Sequence, residues 1–532
     1  MQIDRIPFPD VPQFSAKDVA YATADPRLAP FYKYPVTLSA FGDVMQDKAK
    51  DATDRSMLVE VLRRQYAKLP NNKRALTQVQ RLGDEATFTV ITAHQPSLFT
   101  GPLYFIYKIC SCLNLAAQLN ETYPENHVVP VFVMGGEDHD FAEINHARVK
   151  GKLAVWEETE GGSVAAMPTE NLSAAIQKLK DILGEDALRY DPVKSLVATI
   201  EKAYLNNDTY GAATVELVHT LFANTDLVVA DMAQLEFKRA FLPIMERELF
   251  EQVSQPLIEK AQDELTAAGF SGQVHAREIN LFYLSPGRRD RIVLTENGYQ
   301  INDTSTHFSE EEMRKELRDH PERFSPNVVM RPLFQETIFP NLAYIGGGGE
   351  LAYWLERKEQ FAVFKLNFPM LIRRNSVLWI DPRSGKKINQ LGTDFRAFFQ
   401  PTDKVIKDYV AEHSRNDLSL DEAMQQIETL YDQLAARAKQ VDPTLEKHVL
   451  AMGAHQNNKL ENLEERLRRR EKRKYTEAVE RIRFVRSHLF PGDSLQERKD
   501  NFLNLYLDHG PDVIPTLIRH LDPLTPGMVV IH

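Results

Sequence analysis

The chain has 532 residues, 43% hydrophobic and 26% charged, the balance of a globular protein with room for about three domains. A formal net charge of −11 argues against a protein built to coat nucleic acid or an anionic membrane, and no run of about 18 apolar residues is present to span one. The start, MQIDRIPFPDVPQF, has no basic stretch ahead of an apolar core, so no signal peptide is expected, and two cysteines alone, Cys110 and Cys112, suit a reducing cytoplasm.

Residues 1 to about 50, rich in Pro and aromatics, read as a segment that wraps over a body, and Asp51 to Leu69 as a helix ended by Pro70. A β-rich run from Phe88 then enters the turn His94-Gln95-Pro96. Ile106, Ile109, Cys110, Leu113, Ala116 and Ala117 follow at helical spacing, with Cys110 as a small core residue. Val128 to Met134 is a second apolar run, ending in Gly135-Gly136 and Glu137-Asp138-His139-Asp140. Strand, Gly/Pro turn, helix, strand is the unit of a parallel sheet, whose ligands sit beyond the carboxyl ends of the strands. Both polar clusters fall at such ends.

A first insertion is expected over residues 151–224. The core resumes over 225–272, with a strand at Val228-Val229 and a helix carrying Phe237, Phe241 and Met245. Residues 273–326 change to period two, with strands in His275–Leu284 and Arg291–Leu294, which predicts a small antiparallel insertion. Over 327–382 a strand is expected around Val329. Tyr344 and Ile345 lead into Gly346 to Gly349, and a further strand pair flanks Arg373-Arg374-Asn375-Ser376. Residues 383–490 are helical and charged. Ser419 and Glu422 have capping-box spacing, and Leu420, Met424, Ile427, Tyr431, Leu434, Ala438 and Val441 form three heptads. With the helix after Asp442-Pro443 they predict an antiparallel coiled-coil hairpin, and residues 491–532 are expected to pack back on the core, so that 1–150 holds the wrap and the first part of the sheet.

The candidate sites follow from this layout. His94 and Gln95, with Tyr104 nearby, would line a nucleotide or carboxyl-activation pocket, or else serve the turn alone. Glu137, Asp138, His139 and Asp140 crowd carboxylates around an imidazole, which suits base work or capture of an amine, with metal binding and a solvated helix start as alternatives. Gly346, Gly347, Gly348 and Gly349 before a helix could cradle an anion, or form a turn. Arg331, Arg373, Arg374 and Asn375 are candidates for substrate carboxylates, or ion pairs of the fold. Ser384-Gly385-Lys386-Lys387 is a candidate phosphate site. The basic run Arg466 to Lys474 interleaves with Glu461, Glu464 and Glu465, so a solvated coiled-coil face is expected in place of a nucleic-acid site.

The stretches TAHQPSLFTGPLYFIYKI, VVPVFVMGGEDHDFAEINH and RPLFQETIFPNLAYIGGGGELAYWLE, with RRNS after a strand, resemble the BshC family of bacillithiol biosynthesis over nearly the whole chain. The resemblance implies an α/β fold: a Rossmann-like parallel-sheet core with two connecting insertions and a C-terminal antiparallel α-helical coiled coil that makes a homodimer. It implies a ligase adding L-cysteine to the amine of glucosaminyl-malate, with Asp138 or His139 as base and His94 as a further catalytic group. Gln95, Glu137, Asp140, Tyr104, Gly346 to Gly349, Arg331, Arg373 and Asn375 would bind substrate. Similarity of that family to class I synthetase-type ligases makes ATP or another nucleotide a candidate activator. His94 then stands at the first position of HQPS, and Ser384, Lys386 and Lys387 stand in a later loop; no metal is expected. The alternatives are a metal-dependent hydrolase and a non-enzymatic coiled-coil assembly factor.

Overall fold

The computed structural model describes residues 2–158, 161–414, 416 and 418–532. They form two bodies: the chain up to Leu378 with Gln496–Ile531, and Trp379–Leu495 with His532. At the centre of the larger body is a parallel sheet of β1 (Thr87–His94), β2 (His127–Met134), β3 (Val228–Asp231), β4 (Asn341–Gly346) and β5 (Met370–Arg373). The spatial order is β5-β4-β1-β2-β3. The chain runs outward from β1 through β3, then returns to the other side of β1 for β4 and β5. The strand order therefore reverses between β1 and β4, the place where open parallel sheets leave a crevice.

Both faces of this sheet are covered. Val90 and Val128 pack with Cys112, Leu115, Ala116 and Leu119 of α1 (Tyr104–Thr122). Ile91, Val129, Val131 and Val133 point the other way, onto Phe237, Phe241, Met245 and Leu249 of α2 (Leu235–Glu251). Burial on both faces is why β1 and β2 read as continuous apolar runs and not as an alternation.

The turn from β1 into α1 is strained. Phe99, Thr100 and Gly101 all have positive φ (51°, 70° and 60°), a conformation costly for a β-branched threonine. The surroundings impose it. Asn501 donates its amide to the carbonyls of Phe99 (2.7 Å) and Gly101 (2.6 Å), and the Tyr204 hydroxyl accepts the Phe99 N–H (2.9 Å). A Cβ on Gly101 would lie 2.6 Å from that of Ser97.

The strand expected at Val329 does not form: residues 328–330 are a turn that leads directly into a helix, α3 (Arg331–Ile338), with Pro332 in its first turn. Proline suits that position, and it would have removed a donor from a sheet ladder. The antiparallel insertion is a five-stranded sheet that includes Leu281–Ser285 and Arg288–Thr295; its first strand starts at Leu281 and excludes His275–Asn280. The preceding insertion holds a hairpin, His146–Val149 with Lys152–Val155, and the helices Leu172–Leu183, Asp191–Leu205 and Tyr210–Leu221. The N-terminal wrap reaches the sheet through Tyr21, whose hydroxyl donates to the Leu371 carbonyl (2.7 Å), and Ile3–Ile6 pairs with Met528–Ile531.

In the second body α5 (Pro382–Leu391) precedes the hairpin of α6 (Asp421–Val441) and α7 (Leu445–Lys472). Its antiparallel register is fixed by Lys439 on Glu446 (2.9 Å) near the turn and by the Leu420 N–H on Glu464 (3.2 Å) at the far end. Between them Gly453 lies against Tyr431, where a Cβ would come within 2.7 Å of the tyrosine Cβ. The capping box does not form, because the Ser419 hydroxyl accepts the Asp421 N–H and donates to its carboxylate, leaving Glu422 out. Nor does the hairpin cover the whole heptad seam. Ala435 is buried, but Leu434 is 39% and Val441 84% exposed. Among the described residues no helix is long and apolar enough to cross a membrane.

A candidate active site at the carboxyl ends of the strands

A cleft of about 490 Å³ opens where β1, β2 and β4 end, within the size range of small-molecule sites. His94 and Gln95 line it from β1, Gly136 to Asp138 from β2, and Gly347, Gly349 and Glu350 from β4.

His94 is half-buried with its ring against Phe105 (5.2 Å between centroids). Nδ1 lies 2.8 Å from the Gln95 carbonyl, which can only accept, so Nδ1 carries the proton. Nε2 is then bare and accepts from the Tyr104 hydroxyl at 3.1 Å. Burial, then the nearby Lys108 ammonium, push the His94 pKa down to about 4, so the ring is neutral near pH 7. Burial and the charges of Glu350 and Glu143 push Tyr104 up to about 12, and the Arg374 guanidinium lies over its ring at 5.2 Å. With its proton given to His94, Tyr104 keeps oxygen lone pairs for a ligand in the cleft.

The acidic loop after β2 does not act as one cluster. Gln95 Nε2 donates to Asp138 Oδ2 (2.6 Å), and Arg289, from the antiparallel insertion, donates to Asp138 Oδ1 (3.4 Å) and His139 Nδ1 (3.0 Å). Glu137 is bound by the fully buried Lys238 of α2 at 2.6 Å. Asp140 is absent from the cleft lining because it caps the short helix Phe141–Ile144, accepting the Glu143 N–H. His139 is more than half exposed and also falls outside the lining. Glu143 does reach the cleft, its pKa raised by burial and by Asp140 and Asp138. Among the described residues no three His, Cys, Asp or Glu side chains converge as a metal site would need. The cations on Glu137 and Asp138 and the capping role of Asp140 account for this.

The glycine tetrad is not an open anion cradle. The helix after it, α4 (Gly348–Trp354), has seven residues, and Glu350 takes the Gly347 N–H (2.8 Å). Asp18 fills the space beside Gly348, where a Cβ would lie 2.1 Å from the Asp18 carboxyl carbon. Gly346 belongs to β4, and its own added Cβ would crowd Tyr344. Glu350 also accepts from Lys108, buried in α1, and from the Tyr344 hydroxyl. Lys108 further binds the Ala93 carbonyl at the end of β1.

The candidate anion binders divide. Arg373 is clamped on both oxygens of Asp18 (2.7 and 2.9 Å) between Phe8 and Phe14, and Asn375 bonds Ser111 and the Asp522 carbonyl, so neither faces the cleft. Loss of one partner from so buried an ion pair would cost about 3–5 kcal/mol, a structural role. Arg374 lines the cleft but is bidentate on Glu497 (2.8 and 3.0 Å). Arg331 lines it with Nη2 on the Tyr353 hydroxyl (2.6 Å) and Nη1 buried without a hydrogen-bond partner. Arg498 lines the mouth, exposed, with no carboxylate partner among the described residues. Ser384, Lys386 and Lys387 lie in α5 of the second body. Asp381 takes the free N–H groups of that helix and the Ser384 hydroxyl, and Lys387 lies over Phe484, so no phosphate loop is formed.

The sequence reading missed Lys108, Lys238, Arg289, Glu497 and Arg498. Lys108 could have been found: it is a lone cation inside the apolar run YFIYKICSCL, and buried lysines need a partner.

The chain matches the family described as "Bacillithiol biosynthesis BshC, N-terminal Rossmann-like domain" over residues 1–375, and that described as "Bacillithiol biosynthesis BshC, C-terminal coiled-coil domain" over residues 377–532. The chain belongs to the BshC family. Relatives of it carry the name "Putative cysteine ligase BshC". The Flavobacterium johnsoniae protein is 37% identical over 98% of both chains, and the Christiangramia forsetii protein 36% over 98% of both. That of Bacillus thuringiensis subsp. konkukian is 28% identical over 94% of both. The BshC architecture, a Rossmann-like sheet domain followed by a coiled coil, is the one described above.

The neutral His94 has a measurable consequence. Its unfolded-state pKa is near 6.5 and its folded one about 4, so below pH 6.5 the unfolded chain takes a proton that the folded one refuses. Its contribution is complete above pH 6.5 and is lost as pH falls toward 4. Lys108 and Arg374 face the ring as cations and Glu350 as an anion. Nitrogen NMR of the imidazole should show the Nδ1–H form at pH 7 and a midpoint near 4; titration near 6.5 would contradict the geometry.

Proposed function

We propose that this chain is an amide-forming ligase that joins the carboxyl of L-cysteine to the amine of glucosaminyl-malate, the last step of bacillithiol biosynthesis. The names of the relatives support a cysteine ligase. The observation that carries the substrate pair is the presence in one cleft of both kinds of charge. Asp138 and Glu143 follow β2, and Arg331, Arg374 and Arg498 also line the cleft, while Arg289 and Glu350 in the same lining are held by Asp138 and Lys108. An amine would be drawn to the carboxylates and substrate carboxylates to the guanidinium groups.

Asp138, already hydrogen-bonded by Gln95 and Arg289, is assigned to anchor the ammonium form of the amine. The proton acceptor is His94, reached through Tyr104. The anchored ammonium first releases one proton to solvent to give the free amine. As that nitrogen bonds to the activated carboxyl carbon, its second proton passes to the Tyr104 oxygen and the tyrosine proton to His94 Nε2, while an oxygen leaving group departs with its electron pair. A nucleoside triphosphate supplies that leaving group in this reading, by transferring a phosphoryl or nucleotidyl group to the cysteine carboxylate oxygen, and Arg498, a cation with no carboxylate partner among the described residues, suits its charge.

The coiled coil is the proposed seat of a homodimer. Leu434, Val441, Leu445, Met452, Leu463 and Leu467 are each at least 39% exposed on the hairpin, apolar side chains that a second copy would cover.

Two expectations follow. Incubation with L-cysteine, glucosaminyl-malate and ATP, read by mass, should give the thiol product. Tyr104→Phe and His94→Asn should lower kcat by about 10²–10⁴, and Asp138→Asn should mainly raise KM for the amine substrate. Full rates in Tyr104→Phe would remove the relay, and absence of product from the intact chain would remove the ligase reading. Light scattering should give a dimer that Leu463→Glu with Leu467→Glu converts to monomer; an intact chain monomeric at micromolar concentration would contradict the dimer.

A further inference from the structure

Two residues of α3 that line the cleft, Arg331 and Gln335, each carry a buried polar atom without a partner. Arg331 and Gln335 are four residues apart, so their side chains stand together on the helix, about 5–6 Å apart at Cβ. Both line the cleft. Gln335 is 1% exposed; its Nε2 donates to Glu336 (2.9 Å), while its Oε1 has no partner. Arg331 Nη1 is likewise buried without a partner, and its other terminal nitrogen is taken by Tyr353. Glu350, the carboxylate nearest in charge, is already committed to Lys108, Tyr344 and the Gly347 N–H. Leaving a buried donor and a buried acceptor unpaired is costly, and a site built to bond a ligand is where such atoms belong.

We propose that Arg331 and Gln335 form the α-amino-acid subsite of the cleft, Arg331 Nη1 donating to the carboxylate of the bound amino acid and Gln335 Oε1 accepting from its α-ammonium. The donor and acceptor are of opposite kind and belong to neighbouring positions of one helix face. Phe334, between them in sequence, with Val133 and Met232, gives the cleft an apolar wall suited to a short thiol side chain. This inference rests on the ligase reading for the identity of the amino acid, L-cysteine, and separates Arg331 from the exposed Arg498, which is left for the other anionic groups.

Calorimetry on the full chain tests it with three probes: L-cysteine, 3-mercaptopropionate, which lacks the amine, and cysteamine, which lacks the carboxylate. Wild-type protein should bind L-cysteine at least about tenfold more tightly than either analogue, since each loses a charged hydrogen bond. Gln335→Met, close in volume, should cost about tenfold for L-cysteine and leave 3-mercaptopropionate unchanged. Arg331→Met should weaken L-cysteine and 3-mercaptopropionate but not cysteamine. Equal binding of L-cysteine and 3-mercaptopropionate by the wild type would overturn the proposal without any variant, as would L-malate displacing L-cysteine or absence of L-cysteine binding at millimolar concentration. Binding in the expected pattern with no product from glucosaminyl-malate and ATP would uphold this subsite and reject the ligase reading. Product formed with full L-cysteine affinity in both variants would do the reverse.

Discussion

The Lys108 ammonium lies buried between the end of β1 and the start of α4, bound to the Ala93 carbonyl and to both oxygens of Glu350. This one ion pair ties the two strands flanking the reversal of strand order, and several features of the cleft follow from it. Glu350, engaged by Lys108, Tyr344 and Gly347, closes the glycine loop on itself instead of leaving its N–H groups for a phosphate. The ammonium adds to burial in keeping His94 neutral, which leaves Nε2 free to accept from Tyr104. With Glu350 so engaged, Arg331 keeps a buried donor unpaired.

Four other buried cations follow one rule. A charge removed from water needs a counter-charge or a full set of hydrogen bonds. Lys238 has Glu137, Arg289 has Asp138, Arg374 has Glu497 and Arg373 has Asp18. Each pair joins distant segments of the chain. The N-terminal wrap, the antiparallel insertion and the C-terminal segment are thereby fastened to the sheet. Cations whose carboxylates are supplied by the fold serve to build the cleft. Arg331 and Arg498 are different, and the proposed substrate contacts fall on them for that reason.

Much of the sheet was legible in the sequence because its strands are buried on both faces and bounded by Gly and Pro, so Phe88–Ile91 and Val128–Met134 stand out as apolar runs. The helical hairpin was legible from its heptads. Val329 was misread as a strand because a short apolar run does not declare its period, and the Pro332 signal for a helix start was passed over. The site was less legible. Residues contiguous in sequence, such as Glu137 to Asp140, look like one cluster, yet their side chains diverge to Lys238, Arg289 and a helix cap. Nothing local distinguishes Arg373 from Arg374, which alternate between opposite sides of the chain and meet carboxylates from opposite ends of it. Arg289, Glu497 and Arg498 arrive from segments with no motif of their own.

The central claim is that both substrates meet beyond the carboxyl ends of β1, β2 and β4. A crystal structure of the full chain with L-cysteine and glucosaminyl-malate tests it most directly. The account predicts cysteine against α3 and the amine of glucosaminyl-malate between Asp138 and Tyr104, with malyl carboxylates toward Arg498. Both ligands bound away from the strand ends, with the cleft filled by neither, would contradict it.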